Sequence, residues 1–122
     1  MPWQLHHVQL AIPPGEERRC DAFYVELLGF HEVEKPPLQA ARGGRWYQRG
    51  EAALHLGVEE GFQPAKKAHP ALAVDDFDDV IARLEDAGIE VRFDETIPGR
   101  RHCYVDDPVG NRLELIDVVS SR

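Results

Sequence analysis

One order of secondary structure is written twice along this chain, and that repeat limits what it can fold into more than any other feature. Leu54-His55-Leu56 recurs 59 positions later as Leu113-Glu114-Leu115, and Leu28-Gly29-Phe30 recurs at the same offset as Ala87-Gly88-Ile89. His7 recurs as His69, an offset of 62, so the halves differ by about three residues in the turns after their first strands. Residue identity between the halves is low. The shared order of elements carries the argument: strand, helix and three further strands, followed by a polar stretch and the same order again.

The first half is expected over residues 5–58. Alternation over 5–12 places Val8, Leu10 and Ile12 on one strand face and His7, Gln9 and Ala11 on the other. Pro13-Pro14-Gly15 breaks that strand. A helix is predicted over 16–29, with Phe23, Leu27 and Phe30 three to four apart and Gly29 as its stop. A short strand is predicted from Phe30 to about Glu34, then a loop over 38–44 with Gly43-Gly44 as its turn. Strands over 45–49 and 52–58 form a hairpin about Gly50-Glu51. Residues 59–68 read as a linker. The second half is expected over 69–119: a strand to Val74, a helix capped by Asp75 or Asp76 and stopped by Gly88, and strands over 89–94, 101–106 and 111–119. The turn before the last strand is Asp107-Pro108-Val109-Gly110.

Composition excludes some functions. A chain of 122 residues is one domain by length. Its 14 Lys and Arg against 22 Asp and Glu give a net charge of −8, a poor match for a phosphate backbone, so nucleic acid is not an expected partner. No apolar stretch reaches bilayer length, so no membrane is expected. Met1-Pro2-Trp3-Gln4 lacks a basic flank before an apolar run, so the expectation is a cytoplasmic protein without a signal peptide. Cys20 and Cys103 lack CxxC spacing and read as reduced packing residues. The run Asp75-Asp76-Phe77-Asp78-Asp79 reads as a carboxylate-rich helix start.

Four polar residues sit where strand alternation turns them away from the helix-covered face. His7 lies opposite Val8, His55 between Leu54 and Leu56, His69 out of phase with Leu72 and Val74, and Glu114 between Leu113 and Leu115. They occupy two pairs of repeat-equivalent positions. An approximate twofold between the halves would bring all four to one cavity, and three imidazoles with one carboxylate suit Zn, Ni, Co, Mn or Fe(II). The alternative is four half-exposed residues on solvated sheets. His6, His31 and His102 read as structural or surface residues, His102 on a strand whose phase the sequence does not fix. On the middle strands Arg45, Tyr47 and Tyr104 are candidate substrate contacts: arginine grips carboxylate or phosphate, and tyrosine gives a rigid wall with a polar tip.

At these residues the chain resembles the vicinal oxygen chelate superfamily, which includes glyoxalase I, bleomycin resistance proteins and type I extradiol dioxygenases. The resemblance rests on His7-Val8-Gln9-Leu10-Ala11-Ile12, Phe23-Tyr24-Val25-Glu26-Leu27-Leu28-Gly29-Phe30, His69-Pro70-Ala71-Leu72-Ala73-Val74-Asp75 and Asp107-Pro108-Val109-Gly110-Asn111-Arg112-Leu113-Glu114-Leu115. It implies an α+β fold of two tandem βαβββ modules whose curved mixed sheets surround a central cavity, one divalent metal held by His7, His55, His69 and Glu114, and a homodimer. It also implies a metal-dependent enzyme of the glyoxalase/dioxygenase type, an isomerase, lyase or dioxygenase, acting on a small oxygenated metabolite, or a binding or resistance protein that sequesters a small aromatic or apolar compound without catalysis. Two departures matter. Glyoxalase I usually carries a carboxylate where this chain has His55, so the set holds a divalent ion at formal +1 and loses one proton-shuttling carboxylate. Fosfomycin-type transferases usually carry threonine where this chain has Gln9, here a candidate substrate contact. Glu114, the only carboxylate of the set, is the best general-base candidate if it can leave the metal, with a metal-bound hydroxide as the competing base.

Overall fold

Two parallel strand pairings organise the protein, one in each half of the chain. The computed structural model describes residues 2–118; Met1 and residues 119–122, including Val119 at the end of the predicted closing strand, lie outside the described residues. The chain divides into two compact units, Met1–Gln63 and Pro64–Arg122. Each is a four-stranded mixed sheet with helix on one face, which gives the tandem βαβββ, α+β architecture. No helix among the described residues is long and apolar enough to cross a membrane.

In the first unit, β1 (Val8–Ile12) pairs in parallel with β4 (Ala52–Val58), β4 antiparallel with β3 (Arg45–Arg49), and β3 antiparallel with β2 (His31–Val33). The predicted strand over 5–12 starts later, at Val8, because the residues before it are exposed, Leu5 at 81%. The predicted helix is present but changes pitch. It begins as α1 (Glu17–Asp21) and continues as a π-helical turn over Ala22–Leu27, where Leu28 N–H donates to the Phe23 carbonyl at 3.0 Å. The wider pitch lets Phe23 and Tyr24 both reach the core, where Tyr24 stacks on Tyr47 at 5.3 Å. The predicted loop over 38–44 is corrected at its start: α2 (Pro37–Ala40) is a single helical turn. Pro36-Pro37 ends the strand, and Pro37, with its preset φ, also starts the turn.

Asp21 fastens the helix to β3. Its carboxylate accepts from Arg45 Nε at 3.0 Å, Arg45 Nη2 at 3.1 Å and the Tyr47 hydroxyl at 2.6 Å. Burial first, then the Asp21 hydrogen bond, pushes the Tyr47 phenol well above its ordinary range. The Asp21 hydrogen bond likewise raises Arg45. Replacing Tyr47 by Phe removes one hydrogen bond to a charged group from a buried position, so the expected loss is about 1.5–3 kcal/mol in a urea unfolding curve with unchanged slope. A shift below about 0.5 kcal/mol would leave the fastening to Arg45 alone.

In the second unit, β5 (Ala71–Val74) pairs in parallel with β8 (Arg112–Asp117), β8 antiparallel with β7 (His102–Asp106), and β7 antiparallel with β6 (Arg92–Asp94). The helix α3 (Phe77–Asp86) turns Phe77, Val80, Ile81 and Leu84 to the core against Leu113 and Leu115. The strand predicted over 89–94 is shorter and begins at Arg92.

Cys20 and Cys103 are reduced thiols with 0% exposure, the packing role expected of them. Burial pushes the Cys103 thiol up to about 11. Folded protein at pH 8 should therefore leave both cysteines unmodified by a thiol-exchange reagent, and denatured protein should release both. Rapid modification in the folded state would contradict the packing.

Candidate metal centre

The turn between β7 and β8 decides which side chains meet on the open face of the second sheet. Asp107 builds it. Its Oδ1 accepts from the backbone N–H of Val109 at 3.0 Å and of Asn111 at 2.8 Å, and its Oδ2 accepts from Asn111 Nδ2 at 3.1 Å. Asn111 thus belongs to the turn, which has five residues rather than the four expected. The resulting register sets Tyr104 opposite Glu114 and His102 opposite Ile116. Because side chains alternate, Glu114, Tyr104 and His102 share a face, while Leu113, Leu115, Cys103 and Val105 take the helix side.

Glu114 is 8% exposed and bonded at both oxygens. Oε1 lies 3.1 Å from His69 Nε2, and Oε2 lies 2.7 Å from His102 Nδ1. His69 Nδ1 lies 2.8 Å from the Lys67 carbonyl. A carbonyl oxygen only accepts, so Nδ1 carries the proton and the neutral ring has its lone pair on Nε2. Two electron-pair acceptors then face each other at 3.1 Å, and the arrangement calls for a cation: a second ring proton or a metal ion. The donor chemistry therefore fits a divalent metal.

The first sheet offers a second pair. His7, just before β1, and His55, on β4, stack with centroids 4.1 Å apart and planes at 20°. Trp46 lies on the other side of His55 at 4.6 Å and 12°. Burial, then the charge of His7, lowers the His55 pKa below its ordinary 6.5. Both effects favour the neutral imidazole, the form that ligates. His7 is exposed, and its Nδ1 lies 3.0 Å from Nδ1 of His6, which is exposed rather than packed. Each pair lies within one unit; among the described residues no three His, Cys, Asp or Glu side chains form a group able to hold a metal.

The candidate substrate contacts divide by face. Tyr104 lies on the face of Glu114, its ring edge-on to His69 at 5.3 Å and beneath the Arg112 guanidinium at 5.6 Å. Gln9 sits opposite His55 and is exposed. The expectation for Arg45 and Tyr47 is corrected: they face α1, held by Asp21, and Tyr47 is 1% exposed. Trp46, between them, takes the His55 side.

Sequence reasoning passed over two residues. Trp46 was readable, because a two-residue loop at Gly50-Glu51 pairs Arg49 with Ala52 and hence Trp46 with His55. His102, expected as structural or surface, is 2% exposed and bonded to Glu114. A four-residue turn would have set it in the opposite phase.

The sequence profile described as the Glyoxalase/Bleomycin resistance protein/Dioxygenase superfamily matches residues 4–115. A protein of Bacillus anthracis assigned to the glyoxalase family is 42% identical, with a TM-score of 0.91 over 96% of each chain. TnmS3, an antibiotic binding protein from Streptomyces sp. CB03234, is 25% identical, with a TM-score of 0.69 over 96% of this chain and 98% of its own. A mutant of the fosfomycin resistance protein FosX from Listeria monocytogenes, complexed with Mn(II) and 1S,2S-dihydroxypropylphosphonic acid, shares the fold at 16% identity, with a TM-score of 0.77 over 96% and 93%. No curated protein matches the sequence significantly.

Proposed function

Since the chain belongs to the Glyoxalase/Bleomycin resistance protein/Dioxygenase superfamily, we propose that it is a metal-dependent enzyme of the glyoxalase/dioxygenase type acting on a small oxygenated metabolite. The proposed donors are the pair His69 and Glu114 of the second module and the pair His7 and His55 of the first. The observation that carries this reading is the meeting of His69 Nε2 with Glu114 Oε1 across 3.1 Å, a place that calls for a cation. When bound, a divalent ion supplies a Lewis acid for adjacent substrate oxygens. The chain's own part is to bind and orient. Glu114, the single carboxylate of the set, would accept a substrate proton at Oε1 when that oxygen is released from the metal. Tyr104 walls the substrate beside His69, and Gln9 offers an amide on the His55 face. The assembly is a homodimer in the cytoplasm.

A second reading is favoured by one observation, the column of stacked rings His7, His55 and Trp46, whose edges and outer faces offer aromatic contact to an aromatic or apolar compound without catalysis. Elemental analysis separates the two. Untagged protein purified without added metal should carry close to one divalent ion per site. Occupancy near zero, with no rise in melting temperature on adding Zn, Ni, Co, Mn or Fe(II), would overturn the enzyme reading in favour of sequestration.

A further inference from the structure

Glu114 has two carboxylate oxygens, and one is already committed inside the protein. Oε2 accepts a 2.7 Å bond from His102 Nδ1. His102 is 2% exposed and fixed on β7, opposite Asp94 on one side and Ile116 on the other, with Tyr104 two residues along the same face. Its Nε2 is buried without a hydrogen-bond partner, the nearest carboxylate being Asp94 Oδ2 at 3.9 Å. The ring therefore has one strong polar contact, and it is spent on Glu114. A buried imidazole with an orphaned nitrogen costs stability. A packing role alone would be met by leucine at no such cost.

We infer that His102 is a positioning residue: its Nδ1–H holds Oε2 of Glu114, so that Oε1 alone is presented beside His69 Nε2. This rests on the metal reading above. Fixing a donor through its second atom lowers the disorder it must lose on binding, and such outer partners typically govern metal affinity by about 10–100-fold. The same clamp sets the carboxylate to offer one oxygen rather than two.

The test is Mn(II) titration of untagged wild type and of H102N, H102Q and H102L, each first checked for folding by its melting curve without metal. The Asn amide can donate from the place of Nδ1; the Gln amide reaches toward the place of Nε2. Mn(II) affinity should fall about 10–100-fold in H102L and H102Q and return to within about threefold in H102N. If H102L fails to fold, H102N against H102Q gives the same contrast. Equal loss in all variants, or affinity within twofold of wild type in all, overturns the positioning role and leaves the metal reading standing. A wild type that takes up no Mn(II), Co(II) or Zn(II) overturns both.

Discussion

Glu114→Gln is expected to abolish metal binding at the proposed centre while leaving the fold in place. The amide keeps the size of the side chain and can still accept from His102 Nδ1, so the buried hydrogen bond persists. What disappears is the single negative charge of the donor set and the oxygen that faces His69 Nε2. Loss of an outer partner alone typically costs about 10–100-fold in metal affinity, so loss of the donor itself should exceed about 100-fold. Metal titration by calorimetry beside a melting curve reads both parts. Full occupancy with unchanged turnover would remove Glu114 from its roles as ligand and base.

A second large effect is expected in the first unit, where the chain enters β3. Gly44→Ala should destabilise the protein by about 3 kcal/mol or more. Gly44 has a φ of +84°, a conformation that costs an L-residue about 1–2 kcal/mol. An added Cβ would also lie 2.1 Å from the Leu56 carbonyl oxygen, a backbone atom of the central strand β4. Neither the strand nor the chain entering β3 can give way without breaking the pairing of Arg45 with Leu56, and overpacking of that kind adds about 1–3 kcal/mol. Gly50→Ala is the control. Its φ is +56°, but nothing lies within 4 Å of the added Cβ, so about 1 kcal/mol is expected. Urea midpoints compare the two, and equal shifts would show that close approach at Gly44 contributes nothing.

Much of this architecture is legible in the residues because alternation and the repeat reinforce one another. The apolar sets Val8, Leu10, Ile12 with Leu54, Leu56, and Leu113 with Leu115, fix which face of each strand is buried, and that places His55 and Glu114 on the open faces. Legibility ends where a single residue decides phase. The π-helical turn over Ala22–Leu27 inserts no marker residue into the FYVELLGF segment, so pitch was invisible. Arg45 and Tyr47 attract attention as chemistry-bearing residues, yet the hairpin register sends them to Asp21 and sends Trp46 to His55. His102 is the sharpest case. Asp107 captures Asn111 by hydrogen bonds to both its backbone and its side chain, and that one extra turn residue moves His102 across the sheet to Glu114.

The parallel pairings also bear on the order of events when the chain folds. In each unit the first strand bonds to the last, Val8 to Leu54 and Ala71 to Glu114, across more than forty residues of intervening chain. Helices and the hairpin about Gly50-Glu51 close short loops and can form early; these two pairings must wait for the whole unit and carry the larger loop-closure entropy. His7 meets His55, and His69 meets Glu114, only across those late seams. On the proposed reading, a nascent chain has no assembled donor pair to offer a passing ion until its unit has closed, so metal uptake would follow folding rather than guide it.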